Sequence, residues 1–145
     1  MIMEDFVPFD LAVKLKEKGF SCKYPFAMYD EYGDFYPLFT SCDEDEDSKC
    51  IFGNRMYYDY DDFLKYKDAI IAPTISQVLK WLREEKDIDL VINPVFFYDD
   101  DLGRMGEYGC KVFAPSLNKP KHCGYHEKWE QASIAGIEYV LDNLI

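Results

Sequence analysis

The sequence predicts an α+β fold: an antiparallel sheet of hairpins covered by about three helices, one short and N-terminal, one central and one C-terminal. Three observations carry that expectation. The chain has 145 residues, 48% of them apolar and 17% aromatic, which is enough for one sizeable core. Its aromatic runs are short and are broken by Gly- and Asp-rich turns, as hairpins require. Between these runs stand stretches whose apolar residues recur at three- and four-residue spacing. No internal repeat or Ser/Gly-rich linker divides the chain, so residues 1–145 are expected to form a single domain with an acidic loop insertion near 41–62.

The first helix is expected behind Pro8, which suits a first helical turn. Asp10 favours the positive end of the dipole, and Leu11, Ala12 and Leu15 share one face. Gly19 supplies the left-handed conformation that closes a helix, and Phe20 can fold back onto the apolar face. A hairpin follows, with arms near Phe26 to Tyr29 and Phe35 to Phe39 around a turn from Asp30 to Asp34. Pro25 and Pro37 place its arms at edges or bulges.

The composition then shifts. Residues 43–62 hold eight acidic and two basic side chains, half of the chain's net charge of −12. The run from Asp43 to Asp47 repels itself and is expected to be solvated, with Ile51, Phe52 and Met56 as anchors.

Thr74 and Gln77 form a capping box behind Pro73 and open the central helix, whose face is Ile75, Val78, Leu79 and Leu82, widened by Trp81. Glu84 and Glu85 near its end oppose the dipole. After Asp87, residues Ile88 to Tyr98 read as a strand with both faces partly covered, in which Pro94 demands a bulge or an edge. A turn from Asp99 to Gly103 returns the chain through Gly106 to Ala114, with Tyr108, Cys110 and Val112 on one face. The loop that follows leads to a closing helix from about Glu127 to Asn143, carrying Trp129, Ala132, Gly136, Ile137, Val140, Leu141 and Leu144 on one side. Gly136 costs about 1 kcal/mol against Ala in a helix, which a close contact with the sheet would offset.

An excess of 28 Asp and Glu over 16 Lys and Arg excludes partners held mainly through phosphates, so no direct nucleic-acid binding is expected. No apolar run approaches the roughly 18 residues of a membrane span. The opening residues, Met1 to Asp5, lack the basic and apolar regions of a secretory signal, so a cytoplasmic protein is expected. Five cysteines, odd in number and without a C-x-x-C pair, read as reduced thiols.

Soft ligands gather at one place, where His122, Cys123 and His126, joined by Cys110, offer four zinc ligands. Against that set, neighbouring His122 and Cys123 suit one tetrahedral ion poorly, and an ordinary loop before a helix is the plainer expectation; no cofactor is expected. The acidic run fails as a calcium loop, since counting from Asp43 puts Ser48 at the glycine position and Asn54 at the bidentate glutamate position. Neither a G-x-S-x-G nucleophile elbow nor a P-loop is present. A thiol or metal-dependent enzyme would have to be assembled from the region of His122, Cys123 and His126.

The stronger signal is Tyr57, Tyr58, Asp59, Tyr60, Asp61 and Asp62. Tyrosine gives large contact area at low entropic cost, and surrounding carboxylates select basic partners. The expected function is therefore a non-enzymatic acidic interaction protein that binds a basic protein, as a monomer or a homodimer. A DNA mimic that fills the cationic groove of a DNA-binding protein is the sharper version of this reading.

Three blocks also carry a resemblance: Lys14 to Phe20 (KLKEKGF), Ala72 to Glu84 (APTISQVLKWLRE), and Trp129 to Ala132 with Gly136, Ile137 and the Leu144–Ile145 end. The chain resembles small hypothetical, phage-like proteins of Bacteroides-type bacteria and their mobile elements, across nearly its whole length. The resemblance implies a bacterial or phage cytoplasmic origin and carries no activity or site residue. The acidic stretch from Asp43 to Asp62 and the Glu127-Lys-Trp-Glu start of the closing helix depart from that family's pattern.

Overall fold

The computed structural model describes residues 5–22, 25–37, 50–52, 55–57 and 69–145. Its elements run α1 (Phe9–Glu17), β1 (Ala27–Tyr29), β2 (Phe35–Pro37), β3 (Cys50–Phe52), β4 (Arg55–Tyr57), β5 (Ile70–Ile71), α2 (Ile75–Lys86), β6 (Asp89–Asp99), β7 (Gly103–Phe113), β8 (Lys121–His126) and α3 (Trp129–Asn143). The fold is α+β, every pairing among the described strands is antiparallel, and no described helix is long and apolar enough to cross a membrane. Contacts gather in two units, Phe6–Thr74 and Ile75–Ile145, with Met1–Asp5 grouped with the latter.

In the first unit α1 ends as its sequence dictates. Gly19 takes φ +84°, its N–H donates to the Lys16 carbonyl, and the Phe20 N–H donates to the Leu15 carbonyl at 2.9 Å. This is a complete Schellman closure, and Phe20 is buried beyond it. The small sheet has the order β2-β1-β5, so the short pair Ile70–Ile71, absent from the sequence reading, makes β1 its central strand. Ala27, Met28 and Tyr29 are all buried, and Pro37 lies on the edge strand β2, where a missing N–H is tolerated. Asp30 builds the turn, its Oδ1 accepting the N–H groups of Tyr32 and Asp34. Phe6, Phe9, Tyr29 and Phe35 interlock edge-to-face, with ring centroids 5.0 to 5.7 Å apart. Within the expected acidic insertion, β3 and β4 pair as a two-stranded hairpin, with Cys50 opposite Tyr57.

The second unit is a meander, β6-β7-β8, covered on one face by α3 and flanked by α2. The β6–β7 register is unbroken from Asp89↔Phe113 to Asp99↔Gly103. Pro94 is accommodated because β6 is an edge strand, with no bulge. Alternation sends Leu90 and Ile92, with their partners Val112 and Cys110, to the helix side. There Ala132, Ser133, Gly136, Ile137, Val140 and Leu141 of α3 are buried. The backbones approach closely at Gly136, where a Cβ would stand 2.5 Å from Cys110 Sγ and 2.6 Å from a Leu90 methyl. Glycine is required there by packing, as its helical cost suggests.

Two expectations fail in this unit. Residues 121–126 form β8, not a loop: their side chains do not alternate apolar and polar, and the pairing with β7 supplies what pattern did not. The second face of β6 is open, with Val91 and Phe97 exposed, because both helices of the unit contact the sheet without covering that side.

Candidate functional site

Of the expected binding residues, Tyr57 contributes backbone to the end of β4, while Tyr58, Asp59, Tyr60, Asp61 and Asp62 lie outside the described residues. The four soft ligands all lie in the meander, and the structure divides them between its faces. A bulge sets Cys123 and Gly124 of β8 opposite Cys110 of β7, between the pairs Gly109↔Tyr125 and Lys111↔His122. Cys110 is fully buried on the helix side, its thiol donating towards Cys123, whose own thiol donates to the Lys121 carbonyl at 4.0 Å. His122 stands on the open face, its ring tilted 55° to that of Tyr125 with centroids 4.7 Å apart, and its Nδ1 accepts the Gly124 N–H at 3.2 Å. The His126 Nε2 lies 3.0 Å from the Cys123 carbonyl oxygen. Among the described residues no three His, Cys, Asp or Glu side chains gather to hold a metal.

The chemistry of the thiols follows from where they sit. Burial pushes the Cys110 thiol up from 9.0 to about 12, and the neighbouring Cys123 adds to the effect. Burial also raises Cys123, partly countered by Lys121 and by the hydrogen bond to Cys110. Both are thiols at neutral pH, so neither is an activated nucleophile.

Two surfaces stand out. On the open face Gly109 has no side chain, and the rings of His122 and Tyr125 rise beside it. The resulting concavity of about 340 Å³ is bounded by Asn93, Val95 and Lys111 as well. The other surface is the end of the β6–β7 hairpin. Phe96, Tyr98 and Leu102 are 59%, 76% and 73% exposed. They flank Asp99, Asp100 and Asp101, of which Asp99 is occupied in the turn, accepting the N–H groups of Asp101 and Leu102 at 2.9 Å. Asp100 and Asp101 are exposed. Phe96 lies across Gly106, its partner on β7, and Arg104 stacks 4.2 Å over the ring. The tip is thereby braced by its own side chains. In the sequence Asp99 to Asp101 read as turn and strand-end chemistry rather than as a metal site; the signal for a surface is the apolar residues on either side of them.

The chain matches no protein-family model, and no curated protein and no solved structure matches it.

Proposed function

We propose that this chain is a non-enzymatic interaction module that engages a basic protein through acidic and aromatic surface. The observation that supports the reading most is the hairpin tip, where large apolar side chains are held in solvent beside free carboxylates. Exposed aromatic area provides binding energy, and the carboxylates steer a cationic partner and select against an anionic one. The stretch Tyr57 to Asp62 extends the same chemistry in sequence. The resemblance to phage-like proteins of Bacteroides-type bacteria implies a bacterial or phage source for that partner.

The test is affinity capture from a Bacteroides-type lysate at low and high salt, with wild type beside Asp100→Asn/Asp101→Asn, Tyr98→Ala/Leu102→Ala and Asp59→Asn/Asp61→Asn/Asp62→Asn. The reading requires a basic protein retained by wild type, released by salt and lost from at least one variant set. Retention that ignores both salt and every variant refutes it.

A further inference from the structure

We propose that the open face of the meander is a self-association surface, on which a second copy of this chain stacks with its strands antiparallel about a two-fold axis crossing β7 at Gly109. The argument starts from charge order. The open-face residues of β7 run Met105, Glu107, Gly109, Lys111, Phe113: apolar, negative, bare, positive, apolar. A half-turn about an axis lying in the interface and perpendicular to the strands exchanges Met105 with Phe113 and Glu107 with Lys111. On β6 the same operation exchanges Val91 with Val95 and sets Asn93 against its own copy. Each Glu107 therefore meets the partner's Lys111, twice over, and apolar side chains flank both pairs.

Within one chain these charges cannot meet. They are four residues apart on one strand, about 13 Å at the usual rise. Among the described residues neither forms an ion pair. The nearby Asp89 is already paired with Arg83 at 2.8 Å. The face is thus close to neutral on a chain of net charge −12, and it is where two such chains can approach. A basic protein finds its carboxylates elsewhere, on the hairpin tip. Gly109 is buried against the rings of its own His122 and Tyr125, which a Cβ there would meet at 3.4 Å, so the absent side chain lets these rings sit low at the centre of the face, where each Tyr125 meets its copy.

The proposal is independent of the function proposed above and is tested by sedimentation equilibrium at about 0.15 M salt, where charge acts over roughly 8 Å. Wild type is expected to dimerise reversibly. Glu107→Lys and Lys111→Glu each set like charges together at both symmetric positions, so each raises the dimer dissociation constant about tenfold or more. The double variant Glu107→Lys/Lys111→Glu restores both pairs with the signs exchanged and returns dimerisation to near the wild-type level. Circular dichroism of the single variants separates lost association from lost folding, and Asp100→Asn/Asp101→Asn leaves dimerisation unchanged. A wild type that stays monomeric at all concentrations, single reversals that leave the dimer intact, or a double variant no better than the singles each overturn the proposal.

Discussion

Gly136→Ala sets two magnitudes of opposite sign against each other. Helix propensity alone makes the substitution stabilising by about 1 kcal/mol. The new Cβ, however, would stand 2.5 Å from Cys110 Sγ and 2.6 Å from Leu90 Cδ2, with Leu90 Cγ at 3.3 Å. Both neighbours are buried, so relief needs two side chains, or the helix, to move within a packed layer. Overpacking of this kind costs about 1–3 kcal/mol, and two simultaneous overlaps place it near the upper end. The expected net effect is a loss of about 1–2 kcal/mol, read as a lower urea midpoint with unchanged slope. Repeating the substitution in a Cys110→Ala background removes the closest atom and should recover about 1 kcal/mol as a coupling energy. A Gly136→Ala variant more stable than wild type, or one equally damaging in both backgrounds, would refute the claim that contact dictates this glycine.

Gly19→Ala forces a Cβ onto φ +84° and should cost about 1–2 kcal/mol in urea unfolding, although nothing lies within 4 Å to clash with it. Tyr29→Phe removes the hydroxyl that donates to the buried Val7 carbonyl at 2.6 Å, leaving that oxygen unpaired for about 1–3 kcal/mol by the same assay. The Cys110 thiol ionises at 9.0 when unfolded and at about 12 when folded, so its contribution to stability is complete below pH 9 and is lost as pH rises towards 12. Cys110→Ala should flatten the alkaline fall in stability relative to wild type, and at pH 8 iodoacetamide should label native Cys110 far more slowly than unfolded Cys110.

Legibility in the sequence tracked the locality of the physics. Gly19 and Phe20 announce their Schellman closure because every partner lies within five residues. The α3 face was readable because one period repeats for four turns, and Gly136 was readable as an anomaly in that period. Strand β8 was not, because Lys121 to His126 owe their strand to hydrogen bonds with β7 and a bulge, neither of which leaves an alternating pattern. For the same reason Cys110, His122, Cys123 and His126 look like one cluster in the sequence. In space the bulge turns the cysteines towards the helix and His122 to the opposite side. The open face was missed because the strand reading covered both sides of β6. Exposure depends on where α2 and α3 dock, and β6 itself does not encode that.

The position of Pro94 also bears on how this chain behaves when concentrated. β6 is an eleven-residue edge, long enough to template the addition of foreign strands one after another into a fibre. Proline at its midpoint divides that edge into two runs, Asp89–Asn93 and Val95–Asp99, each of five residues. Both are shorter than the roughly six- or seven-residue segments from which dry cross-β zippers grow. Open-ended growth along the edge is thus interrupted by one imino acid, and the aromatic side chains beyond it can stay exposed without committing the chain to polymerisation.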